Sequence, residues 1–82
     1  MYTILICDDD RDIVSALDIY LTSEGYKTIK TYNGKEALRA VEENPVHLIL
    51  MDVMMPELDG IRATAKLRED SNVPIILLTA KS

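Results

Sequence analysis

Three short runs in this chain are almost wholly apolar: Thr3–Cys7, 47–51 and 74–79. Each is too short to make a stable helix and too continuous for a half-exposed strand, whose side chains would alternate. Such a run fits a strand buried on both faces. Between the runs the hydrophobic period lengthens to that of a helix. Over 10–24, Ile13, Leu17, Tyr20 and Leu21 fall on one stripe, Asp10 stands where a cap belongs, and Gly25 supplies a stop. Asn33-Gly34-Lys35-Glu36 sets a capping side chain three residues before an acid; Ala37, Leu38 and Val41 follow as a helical face, and Pro45 ends it. After a loop over 53–57 that contains Pro56, Asp59-Gly60 opens a third helix to about residue 69, with a weaker stripe of Ile61 and Leu67. Lys27–Thr31 alternates around Ile29 and carries two lysines, the pattern of an edge strand.

The order β-α-β-α-β-α-β implies parallel strands joined by right-handed crossovers, an α/β fold with a doubly wound parallel sheet. With the lysine-bearing second strand on an outer edge, the strand order is 2-1-3-4. The order then reverses between the first and third strands. In open α/β sheets, ligands bind outside the carboxyl ends of the strands at such a reversal. Those ends carry Asp8, Asp9 and Asp52.

Composition narrows the function. Eighty-two residues make one domain at most, and a chain of this size buries only roughly 60% of its unfolded surface. A net charge of −5 opposes a phosphate backbone, and the four tyrosines are the whole aromatic complement, so direct nucleic-acid binding is disfavoured. The single cysteine, Cys7, lies within an apolar run and reads as a small buried hydrophobe. Nothing at the amino terminus resembles a signal peptide, and no apolar stretch approaches the ~20 residues of a membrane helix. These features fit a cytoplasmic setting.

Three carboxylates meeting in one crevice repel one another, and without a cation at least one must bind its proton more tightly. No Lys or Arg lies within the strand-end motifs. A divalent ion resolves the repulsion, and an all-oxygen site that keeps water positions favours Mg²⁺. A carboxylate beside such an ion can act as a nucleophile toward a phosphoryl group. There is no GxxxxGK[ST] or GxGxxG segment, so a nucleotide held by this chain is not the expected donor.

Ile4-Leu5-Ile6-Cys7-Asp8-Asp9-Asp10, the segment 48–60 with its Met51-Asp52-Val53-Met54-Met55-Pro56-Glu57-Leu58-Asp59-Gly60, and Pro74-Ile75-Ile76-Leu77-Leu78-Thr79-Ala80 resemble the receiver domain of two-component response regulators. The winged-helix transcription-regulator branch is the most similar. The resemblance covers 1–82 and implies a flavodoxin-like receiver fold. It implies that Asp52 accepts phosphate from a sensor histidine kinase, that Asp9 ligates Mg²⁺ directly, and that Asp8 acts mainly through metal-bound water. It further implies the backbone carbonyl of Met54 as a ligand, Thr79 as the switching hydroxyl, and Ala80 as the small neighbour that leaves the acceptor accessible. The output in the parent protein would be transcription.

Plainer roles suit the remaining residues. Asp10 is expected to be only a cap, His47 a packed or exposed residue, and Met51, Met54 and Met55 core and loop filler. Lys81 lies close to Thr79, but the family's phosphate-facing lysine comes from a later strand. By the resemblance, the fifth strand and last two helices of the fold lie beyond residue 82, leaving a partial receiver. Its fourth strand has no charge, bulge or interior proline, so homodimer formation or domain-swapped association through that edge is expected. A phosphohydrolase is disfavoured because Met54 occupies the place of such enzymes' general acid. An inactive receiver fragment serving only dimerisation or interaction is the alternative to a phosphoacceptor.

Overall fold

The computed structural model describes residues 1–79. Seven elements follow in order: β1 (Thr3–Cys7), α1 (Arg11–Ser23), β2 (Lys27–Thr31), α2 (Gly34–Glu43), β3 (Leu48–Asp52), α3 (Gly60–Asp70) and β4 (Ile75–Leu78). The strands form one parallel sheet in the order β2-β1-β3-β4, as the sequence predicts. β1 is central and buried at every position. Its side chains alternate between two cores: Leu5 and Cys7 pack with Ala37, Ala40, Ala63 and Leu67 from α2 and α3, whereas Ile4 and Ile6 pack with Val14 and Leu21 from α1. Fully burying a side chain such as Leu5 or Ile6 stabilises the fold by about 1.5–3 kcal/mol.

Each helix begins at a predicted cap. The Asp10 carboxylate accepts from the N–H groups of Asp12 and Ile13 at 3.0 and 3.4 Å. Asn33 Oδ1 accepts from Glu36 N–H at 2.9 Å, while Glu36 Oε1 accepts from Tyr32 N–H at 2.8 Å. Asp59 caps α3 through Arg62 N–H at 2.8 Å. α1 ends in a Schellman arrangement: Gly25, at φ 93°, donates to Thr22 O, and Tyr26 N–H reaches Leu21 O, each at 3.1 Å.

The helical faces are rotated from the expected stripes. In α1 the inward row is Val14, Leu17 and Leu21, while Ile13 and Tyr20 are exposed. In α3 the row is Gly60, Ala63 and Leu67, and Ile61 is exposed. One row is all that fits where a helix lies close against the sheet, and the flanking apolar residues stay outside. The two sheet edges differ as well. On β2, Lys30 Nζ lies 3.6 Å from Asp18 Oδ2 and the Thr28 hydroxyl donates to Asp18. On β4, Ile76 and Leu77 are 50% and 42% exposed. Among the described residues, no helix is long and apolar enough to cross a membrane.

Candidate metal centre

The strand register brings the acids together. Cys7 on β1 stands opposite Met51 on β3, so the next residues, Asp8 and Asp52, lie side by side at the carboxyl end of the sheet. Asp52 is itself the last residue of β3, opposite Leu78, one position further into the strand than the sequence suggests. Backbone bonds fix both tips: Asp8 N–H donates to Thr31 O at 3.3 Å, and Val53 N–H to Leu78 O at 3.0 Å. Ligand oxygens of Asp8, Asp9 and Asp52 all lie within 4.8 Å of one another. Asp8 and Asp52 are only 5% and 7% exposed, whereas Asp9 faces solvent.

Among the described residues, little offsets this charge. Asp8 Oδ1 accepts from Asp10 N–H at 2.9 Å, and Asp52 Oδ1 has a long contact of 3.4 Å with Met54 N–H. The ion pairs among the described residues involve other acids: Asp18, Glu57 and Asp59. Burial therefore raises the Asp8 carboxyl above its ordinary range, the bond from Asp10 N–H opposes that shift, and the charges of Asp52, Asp9 and Asp10 add to it. Two buried carboxylates and one exposed one, all oxygen donors with no ion-pair partner among the described residues, fit a hard divalent cation.

The acids line a crevice of about 410 Å³. Thr79, just past β4, borders it, as does Met54, whose side chain is exposed. Asp10 and Ile13 form part of the rim, so Asp10 contributes charge there as well as capping α1. Ala80 and Lys81 lie outside the described residues. His47 lies just before β3, at the opposite end of the sheet from the acids. Its Nδ1 accepts from Thr3 N–H at 3.0 Å and its ring meets Tyr2 edge-on at 5.3 Å.

Cys7 is buried next to the site, with its Sγ 3.3 Å from Asn33 O and 3.6 Å from Met55 Sδ. Burial pushes its thiol up to about 11, against a lowering by Thr31, so it remains protonated and unreactive at neutral pH.

Gly60 has a larger part than a helix-cap reading gives it. A Cβ there would lie 2.2 Å from the Asp52 carbonyl oxygen, and its N–H donates to Val53 O at 3.0 Å. α3 therefore presses directly on the backbone that carries Asp52. The Asp59-Gly60 pair signalled a helix start; the contact across the loop is tertiary and has no local signature.

Comparison with known proteins agrees with this fold. Residues 4–82 match the family described as the response regulator receiver domain. The transcriptional regulatory protein SrrA of Staphylococcus aureus (strain NCTC 8325 / PS 47) is 46% identical over 78 residues, covering 95% of this chain and 32% of SrrA. The response regulator GtcR of Aneurinibacillus migulanus is 39% identical over 80 residues, covering 98% of this chain and 33% of GtcR. The chain thus spans about one third of the length of these relatives. The structure of TrrA from Thermotoga maritima, solved in complex with Mg²⁺–BeF, superposes with a TM-score of 0.92 at 35% identity, covering all of this chain and 72% of that one.

Proposed function

The chain belongs to the response regulator receiver domain family, and on that premise we propose that Asp52 is its phosphoacceptor, with Asp8 and Asp9 as the acids that hold Mg²⁺ beside it. The observation that carries this reading is the convergence of the three carboxylates, within 4.8 Å, at the point where strand order reverses. Mg²⁺ would neutralise charge on the carboxylates and on an incoming phosphoryl group. The Mg²⁺–BeF complex of the similar TrrA supports that choice of ion. Residues 1–82 would form part of one receiver domain, in keeping with the 72% of the TrrA chain that they cover.

The chain's own residues divide the work. An Asp52 carboxylate oxygen forms a bond to phosphorus as the phosphorus–nitrogen bond of a phosphohistidine donor breaks, and the imidazole departs. Asp8, held by Asp10 N–H, keeps a second buried carboxylate facing the same space. Met54 would offer its backbone carbonyl as a further ligand, and Thr79 its hydroxyl to the phosphoryl oxygens; both border the crevice. This is signalling by phosphoacceptance rather than turnover of a substrate. The donor would be a sensor histidine kinase in the cytoplasm, and the relatives that are transcriptional regulators support transcription as the output.

A second reading, a module that only associates with other copies, is favoured by the exposed Ile76 and Leu77 on the β4 edge. Incubation with acetyl phosphate and Mg²⁺ followed by intact mass separates the two. A phosphoacceptor gains one phosphoryl group, which Asp52→Asn abolishes. A protein that gains none, or gains it equally in Asp52→Asn, is not a phosphoacceptor at Asp52.

A further inference from the structure

Arg11 is surrounded in sequence by acids, with Asp8, Asp9 and Asp10 before it and Asp12 after it. Its guanidinium nevertheless makes no ion pair among the described residues. It lies instead over the ring of Tyr32, with Cζ 3.9 Å from the ring centroid. That placement needs a cause, because Arg11 is the first residue of α1, where the helix dipole disfavours a cation. The quadrupole of the ring supplies one.

The ring is fixed in turn. It packs, partly buried, against the cluster of Ile4, Ile6, Val14 and Leu21, and the Tyr32 N–H is tied to Glu36 Oε1 at 2.8 Å. A guanidinium two residues beyond Asp9 and three beyond Asp8 would otherwise find carboxylates as its nearest partners. Those are the oxygens that a divalent cation needs, and a forked pair with a carboxylate would occupy them.

We propose that the Tyr32 ring is a holding site for Arg11 that keeps its guanidinium off Asp8 and Asp9 and so leaves the cation site open. The inference rests on the reading that these acids bind Mg²⁺. Tyr32 and Arg11 are then positioning residues: neither touches the ion, and Tyr32 acts only through Arg11.

The test is calorimetric titration with MgCl₂ of the wild type, Tyr32→Leu, Tyr32→Phe, Arg11→Ala and the double variant Tyr32→Leu/Arg11→Ala. Removing the ring should weaken Mg²⁺ binding about two- to five-fold, the size of a lost exposed cation–π contact. Tyr32→Phe, which keeps the ring, should match the wild type. Arg11→Ala should bind Mg²⁺ as well as the wild type or better, and the double variant should recover what Tyr32→Leu loses. A mere structural clasp predicts the opposite: Arg11→Ala weakens binding and the double variant shows no recovery. That result, or an unaltered Tyr32→Leu, overturns the proposal. Arg11 is exposed, so its single variant decides the sign even if Tyr32→Leu unfolds. A wild type that takes up no Mg²⁺ overturns the metal reading itself, an outcome distinct from wild-type binding without the expected pattern.

Discussion

Asp8 and Asp52 at the strand tips are the same residue type as Asp10 and Asp59 at the helix starts, yet the two pairs live in opposite surroundings. The cap carboxylates keep access to water and receive hydrogen bonds from the first turn of a helix, at 3.0 Å to Asp12 N–H and 2.8 Å to Arg62 N–H. The tip carboxylates are buried, face each other, and have no cation among the described residues to offset them. Caps stabilise the fold with the protein's own dipoles. Tips leave charge uncompensated at one spot and thereby create a demand for a ligand. Placement, set by strand register, decides which of these an aspartate does.

The strongest way to break that contrast is to disturb the register of the tip itself. Gly60→Ala would drive a methyl group into the Asp52 carbonyl, a backbone atom that cannot turn aside. A loss of about 3 kcal/mol or more is expected in urea unfolding, from overpacking against fixed backbone. A loss below ~1 kcal/mol would show that α3 can retreat without cost, and that the tip is held less tightly than the geometry indicates.

Removing a tip charge should act with the opposite sign. The folded state holds the Asp8 proton more tightly than the unfolded chain does. Stability should therefore fall as pH rises from the ordinary carboxylate range, near ~3.9, through the raised value, and stay low above it. Asp8→Asn, which can keep the bond from Asp10 N–H, should flatten that part of the profile and be the more stable protein at neutral pH without metal. Urea midpoints across pH in a metal-free buffer check this; parallel profiles for the two proteins would contradict it.

The cap side of the comparison predicts a smaller effect. Asp10→Ala should cost about 1 kcal/mol in urea unfolding, the usual value of a lost N-cap. Smallest of all is Glu57→Gly. Glu57 sits at φ 66°, where a side chain is disfavoured, and it pairs with Lys35 only through an exposed contact of 3.6 Å. A gain of about 0.5–1 kcal/mol in thermal or urea unfolding is expected.

Much of this was legible in the residues. The wholly apolar runs marked β1 and β3 as interior strands, Lys27 and Lys30 marked β2 as an edge, and the acids at the run ends marked the crevice. These are local patterns that survive folding because burial on both faces demands continuous apolar sequence. What could not be read depends on phase and on distance. Ile13, Tyr20 and Ile61 looked like core because period alone does not say which side of a stripe meets the sheet. The pressure of Gly60 on Asp52 depends on how the loop between them closes, and the stacking of Arg11 on Tyr32 joins the first residue of α1 to the residue just past β2. Nothing in either neighbourhood announces its partner.

On this reading the tips of β1 and β3 form one cation site. Crystals soaked in Mn²⁺, an anomalous scatterer that accepts the same oxygen donors as Mg²⁺, test it directly. A single strong anomalous peak bounded by carboxylate oxygens of Asp8, Asp9 and Asp52, absent in Asp9→Ala, is expected. A peak elsewhere on the molecule with none at the strand tips would contradict it.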